Sequence, residues 1–168
     1  ALSNIRGAPL LMSGLALTCA ALTWLAGAWL PVRLTQVSRR KLISSGIVLL
    51  ALGLVGVLLL LSPVVPMTCA WLAWAVAGLG MGLSFTTTSA AILESAAPGE
   101  ASRASASLQL AQVLGAALST GLGGVVIASD LAGDPPVRGI AAVILIMIAA
   151  CGLALVSTRG ITPSAPQP

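Results

Sequence analysis

Leu42-Ile43-Ser44-Ser45-Gly46-Ile47-Val48-Leu49-Leu50-Ala51-Leu52-Gly53-Leu54-Val55-Gly56-Val57-Leu58-Leu59-Leu60-Leu61 runs for 20 residues without a charge. A helix rises about 1.5 Å per residue, so this stretch reaches about 30 Å, the depth of a bilayer's hydrocarbon. Its only hydroxyls, Ser44 and Ser45, sit at one end. A helix that is apolar all round belongs in lipid or in a large core. Working outward, four more stretches have the same character: about 8–30, 67–93, 104–128 and 139–157, none with a charged residue. The expected architecture is all-α, a polytopic bundle of five transmembrane helices over residues 1–160.

The connections carry turn residues. Pro31 follows the first span, Ser62-Pro63-Val64-Val65-Pro66 separates the second and third, and Ala97-Pro98-Gly99-Glu100 follows the third. Asp134-Pro135-Pro136 closes the turn after the fourth. Pro and Gly continue a helix only at a cost, so each cluster is expected to end one. The tail 161–168 holds three prolines and is expected to be disordered.

Composition agrees. Apolar residues make up 58% of the 168 before the 18 glycines are counted, against about 45–50% with Gly included in soluble domains. Charged residues are 7%, against about 25%, and mean hydropathy is +1.07. Neither a water-soluble globule nor a disordered chain has these numbers. With no His, Ser-His or Cys-His catalysis and His-bound zinc are excluded. No nucleophile–base pair is visible, so neither an enzyme nor a cofactor or metal is expected. Cys19, Cys69 and Cys151 are scattered in apolar runs and read as packing residues.

The net charge of +4 is not a nucleic-acid footprint. Half of the eight basic residues, Arg33, Arg39, Arg40 and Lys41, lie together between two spans, the pattern of a cytoplasmic loop. With that loop inside, alternation puts Arg103 and Arg159 inside too, and only Arg6 and Arg138 outside. The expected protein is multi-pass in the plasma membrane, with a cytoplasmic C-terminus and a lipid bilayer as its first partner. Because the chain opens at Ala1 with no signal-peptide pattern, the sequence is expected to be a fragment lacking its upstream part.

The spans differ by face. The second and fifth lack polar side chains along most of their length and are expected against lipid. In the fourth, Ser119, Gln112, Ser105, Gln109 and Thr120 fall between about 80° and 180° from Ala111 at 100° per residue, with the leucines opposite. Ser107, Ala111, Gly115, Ser119 and Gly123 form a small-residue row beside them, which lets backbones approach closely. Gln109 and Gln112 need a partner or water, so two readings stand: interhelix hydrogen bonding and lining of a solute pathway. The third span has a second row, Gly78, Gly82, Thr86 and Ala90, ending at Glu94. Its Thr86-Thr87-Thr88-Ser89 run is expected to bond in part to carbonyls one turn earlier. Glu94 falls at the inner end, as an interfacial charge or, alternatively, a proton-coupling acid. Trp29, Trp71 and Trp74 read as interface anchors and Trp24 as a packing residue.

Three of these pieces, in order, carry a resemblance: Gly78-Leu79-Gly80-Met81-Gly82-Leu83, then Ala97-Pro98-Gly99-Glu100-Ala101-Ser102-Arg103-Ala104-Ser105-Ala106, then Gln109-Leu110-Ala111-Gln112-Val113-Leu114-Gly115-Ala116-Ala117-Leu118. Together Ala77 to Ala128 resembles the late helices of the major facilitator superfamily, in particular its drug-efflux antiporters. The resemblance implies that the five spans are the eighth to twelfth helices, from the C-terminal six-helix bundle, with the second and fifth outermost. Arg39-Arg40 would match the end of the family's cytoplasmic loop motif, although its upstream acidic and glycine positions are Thr35 and Ser38 here.

The implied function is secondary active transport by alternating access: two halves rocking about a midplane site, driven by an ion gradient, with protons as one candidate, and exporting small hydrophobic or drug-like solutes. Gln109, Gln112, Thr86, Met81 and Trp24 are the candidate pathway residues. Gly78, Gly82, Ala111, Gly115, Ser119 and Gly123 are the candidate helix-packing residues. The missing N-terminal half would be the main partner. Two other readings stand beside it: a membrane scaffold or complex subunit without transport, and a carrier of another fold built from five-helix repeats.

Overall fold

The computed structural model describes residues 10–129 and 137–160. The described chain is all-helical: α1 (Leu10–Arg33), α2 (Arg39–Leu59), α3 (Cys69–Glu94), α4 (Ala101–Ser129) and α5 (Val137–Ser157), closed by a 3-10 turn (Thr158–Gly160). All five helices are long and apolar enough to cross a membrane. The expected disordered tail, Arg6, and the Asp134-Pro135-Pro136 turn lie outside the described residues.

α3 is the centre, packed closely against α1 on one side and α2 on the other. The reason is its sequence of small residues. On one face, Ala73, Ala77, Gly80 and Ser84 meet Gly56, Gly53 and Gly46 of α2, in antiparallel order. A Cβ added at Gly53 would stand 2.6 Å from the Cβ of Ala77, and one at Gly46 would stand 2.8 Å from the Cβ of Ser84. On the opposite face, Gly78 lies on the backbone of Ala20 and Gly82 on that of Trp24, in parallel order. Gly27 of α1 lies against the Leu79 carbonyl. The run Gly78-Leu79-Gly80-Met81-Gly82 thus serves two interfaces, because Gly80 points about 200° round the helix from Gly78. In lipid, where burying apolar surface gives no drive, such close backbone contact supplies the dispersion energy that joins helices.

The core is correspondingly thin-skinned. Among the described residues no large side chain is completely buried; the most covered are Ala16 and Ala70, each 1% exposed. α5 docks on the far side of α2, where Cys151 joins Ile43 and Ile47, flanked by Leu50, Leu54 and Leu155. At the other end of α2, Leu60, Ala70 and Ala73 form a second small cluster beneath the Pro63–Pro66 corner. The three cysteines are free.

Three local expectations change. Pro31 does not end α1, which runs on to Arg33. Proline removes a single donor, and the following turn still closes through the Leu34 N–H to the Leu30 carbonyl at 2.9 Å. The basic cluster is not a loop: Arg33 is the last residue of α1, and Arg39, Arg40 and Lys41 form the first turn of α2, so only residues 34–38 connect them. Finally, α2 is not surrounded by lipid. One stripe, Val48, Leu52, Val55 and Leu59, faces outward, while Leu42, Ile43, Gly46, Ile47 and Gly53 are buried. The turn before α4 follows its residues closely. Pro98 and Gly99 hold its middle, Gly99 has φ +86°, and the Glu100 N–H donates to the Ala97 carbonyl at 2.9 Å. That left-handed position after a proline suits Gly.

Candidate functional site

α4 sets the site apart. It is 29 residues long and has no buried residue, touching α5 and α3 only lightly. Along its small-residue row, a Cβ added at Gly115 would meet nothing within 4 Å, and one at Gly123 would reach only the Val143 side chain, at 3.7 Å. Ala111 and Ser119 are exposed, and the Ser119 hydroxyl turns back to the Gly115 carbonyl. Gln109 is exposed and Gln112 half-buried. Among the described residues neither amide has a hydrogen-bond partner. Ser105 and Thr120, on the same polar sector, are exposed as well.

The remaining candidates lie on α1 and α3. Trp24 is 43% exposed, and its ring stands edge-on to Phe85, with centroids 6.2 Å apart and planes at 75°. Met81 is one turn before Phe85 and exposed, so Trp24, Met81 and Phe85 gather on one side of α3. Thr86 stands apart, about 140° round the helix from Met81, with its hydroxyl donated to the Gly82 carbonyl. Met81 and Thr86 therefore do not share one wall. Ser84 and Thr87, both buried, donate likewise to the Gly80 and Leu83 carbonyls at 2.8 and 2.6 Å. The helix satisfies these three hydroxyls itself, whereas Gln109 and Gln112, like Ser105 and Thr120 beside them, have no hydrogen-bond partner among the described residues. Phe85 was not singled out from sequence; its spacing of four from Met81 was the available signal.

At the end of the bundle where α2 begins, charge collects. Arg39 pairs with Glu94. The Arg33 guanidinium lies over the Trp29 ring, 4.2 Å from its centroid, which fits an anchor at the membrane boundary. Arg103, in the first turn of α4, and Glu100, just before it, approach to 3.9 Å. Close by, Ser95, Glu100, Arg103 and Ser107 border an open depression of about 400 Å³. It lies at the helix ends and contains none of the pathway candidates. Comparison with known proteins finds no matching family model, no matching curated protein and no matching solved structure.

Proposed function

We propose that this chain is part of a secondary active transporter of the major facilitator type, an ion-gradient-driven exporter of small hydrophobic solutes. The single observation that carries the reading is the state of α4. Its amides Gln109 and Gln112 have no protein partner among the described residues, and its small-residue row is open. An amide left in hydrocarbon without a partner costs several kcal/mol, so this face meets either another helix bundle or a wet passage. A transporter half supplies both: its partner half on one side and the solute path between them.

Other features support the same reading. The order of motifs from Ala77 to Ala128 resembles the family's late helices. The helices alternate in direction, and Arg33, Arg39, Arg40, Lys41, Arg103 and Arg159 all fall at one end, which supports reading that end, and with it the C-terminus, as the cytoplasmic one of a plasma-membrane protein. Trp24, Met81 and Phe85 offer an apolar, polarizable surface suited to bulky, weakly polar solutes. Glu94, ion-paired at the helix ends, is an interfacial charge in this reading, so proton coupling would rest on acids elsewhere in the whole transporter.

The test is solute flux in proteoliposomes containing the complete transporter, under an imposed proton gradient. Gln109→Ala and Gln112→Ala are expected to lower flux or change selectivity. Unchanged flux and selectivity in both would overturn the pathway role. A second reading, a scaffold or complex subunit, is favoured by the open row at Gly115, which serves assembly equally well. It predicts co-purification with a fixed partner and no flux.

A further inference from the structure

Of the six basic residues at the α2-starting end, three are engaged. Arg33 stacks on Trp29, Arg39 pairs with Glu94, and Arg103 approaches Glu100. The other three, Arg40, Lys41 and Arg159, have no partner among the described residues. The fold ties together the two segments that carry them. The Ser44 and Thr158 hydroxyls are 3.1 Å apart, which ties the first turns of α2 to the 3-10 turn after α5. Thr158 is buried and its hydroxyl also reaches the Leu155 carbonyl at 2.7 Å, so the tie is fixed from both sides. Arg159 follows Thr158 directly, and Arg40 and Lys41 precede Ser44 by four and three residues, flanking it within about one helical turn.

Concentrating three unpaired cations is unfavourable unless an anion joins them. Their place sharpens the cost. The N-terminus of α2 carries the positive end of the helix dipole, and its N-cap Ser38 makes no side-chain cap bond. Both described acids, Glu94 and Glu100, are occupied with Arg39 and Arg103. The cluster stands at the termini of two helices long and apolar enough to cross a membrane, the depth at which such a crossing would put lipid headgroups. Beside it, Val156 of α5 and Val48 of α2 are exposed apolar neighbours for acyl chains. We infer that Arg40, Lys41 and Arg159 together hold the headgroup phosphate of an anionic phospholipid. A general inside-positive bias asks only for basic residues at this end; it does not ask that the unpaired ones sit on two segments tied to each other. The inference does not depend on the transporter reading.

The test is native mass spectrometry of the natural full-length protein released from mixed micelles of phosphatidylglycerol and phosphatidylcholine. The protein is expected to retain phosphatidylglycerol in preference to phosphatidylcholine. Each Lys or Arg near an anionic surface strengthens binding roughly five-fold, so R40Q/K41Q/R159Q together should lower retention on the order of a hundred-fold. R159Q alone, in the 3-10 turn after α5 and away from any helix start, should lower it roughly five-fold. R33Q/R103Q, which removes two engaged bases, should leave the preference in place. Excess glycerol phosphate should not displace the lipid. Equal retention of the two lipids, equal loss in R159Q and R33Q/R103Q, or displacement by glycerol phosphate would each overturn the assignment, the last by pointing to a soluble phosphate ligand.

Discussion

Arg39, the first residue of α2, is ion-paired with Glu94, the last residue of α3. Each charge sits at the unfavourable end of its own helix dipole, a cation at an N-terminus and an anion at a C-terminus. Pairing offsets both penalties and ties together the ends of two closely packed helices. Because the side chains are 38% and 56% exposed, the pair itself is worth little, about 0.2–1 kcal/mol. R39Q and E94Q should each lower the thermal midpoint slightly in detergent. The swapped double variant R39E/E94R keeps the pair, places both charges favourably and leaves the total charge of this end unchanged. It is expected to match or exceed the unsubstituted protein. A swapped variant less stable than either single would contradict the dipole argument.

The glycines of α3 and α4 should respond in opposite ways. At Gly80 an added Cβ would meet the Leu50 nitrogen and the Gly46 carbonyl, backbone atoms that cannot rotate away. Gly80→Ala should therefore separate α2 from α3 and cost about 1–3 kcal/mol, more than the ~1 kcal/mol of helix propensity it gains. At Gly115 the same methyl meets nothing. Gly115→Ala should be neutral or stabilising within this bundle. Gly115→Leu should disrupt the complete protein if a second bundle packs on α4, and should be silent if lipid does. Unfolding in detergent and yield of the intact protein distinguish these outcomes.

Much of this architecture was legible in the sequence. The spans of about 8–30 and 42–61 correspond to Leu10–Arg33 and Arg39–Leu59, since hydropathy reports length well. What hydropathy does not report is which side of a helix has a neighbour. Gly46 and Gly53 sit two turns apart among Leu and Val, and on a transfer scale they are merely apolar. Their role depends on Ala77 and Ser84 of another helix, a pairing that no single segment contains. That is why α2 reads as lipid-bound from its sequence yet is half-covered. The two glutamines were legible as polar groups in need of partners; that Met81 and Thr86 diverge follows from their spacing of five along a continuous helix.

Ser84 separates hydrogen bonding from packing. Its hydroxyl donates within its own helix, to the Gly80 carbonyl, and its Cβ faces Gly46. Ser84→Ala removes a local bond without orphaning a donor elsewhere and should cost about 0.5–1.5 kcal/mol at most. Ser84→Leu forces a large side chain against the Gly46 backbone and should cost far more, with loss of the α2–α3 contact. Unfolding midpoints of the two variants, with proximity of labels on α2 and α3, measure the difference. Equal costs would show that the interface has slack.

α4 offers the decisive measurement on the proposed function. Its leucines, Leu110, Leu114, Leu118 and Leu122, are 53–67% exposed and face away from the polar sector that holds Ser105, Gln109, Gln112 and Thr120. Both sectors are open in this bundle, so geometry alone treats them alike. Chemistry does not, because an amide in hydrocarbon lacks the partners that a leucine never needed. Nitroxides placed along α4 in the complete membrane-inserted protein should therefore divide by sector. The leucine positions should collide freely with oxygen dissolved in the acyl chains. The polar positions should be shielded from it, and Gln109 and Gln112 should admit a water-soluble relaxation agent if they line a passage. Free oxygen contact at all eight positions would leave α4 a lipid-facing helix and remove the support for a transporter half.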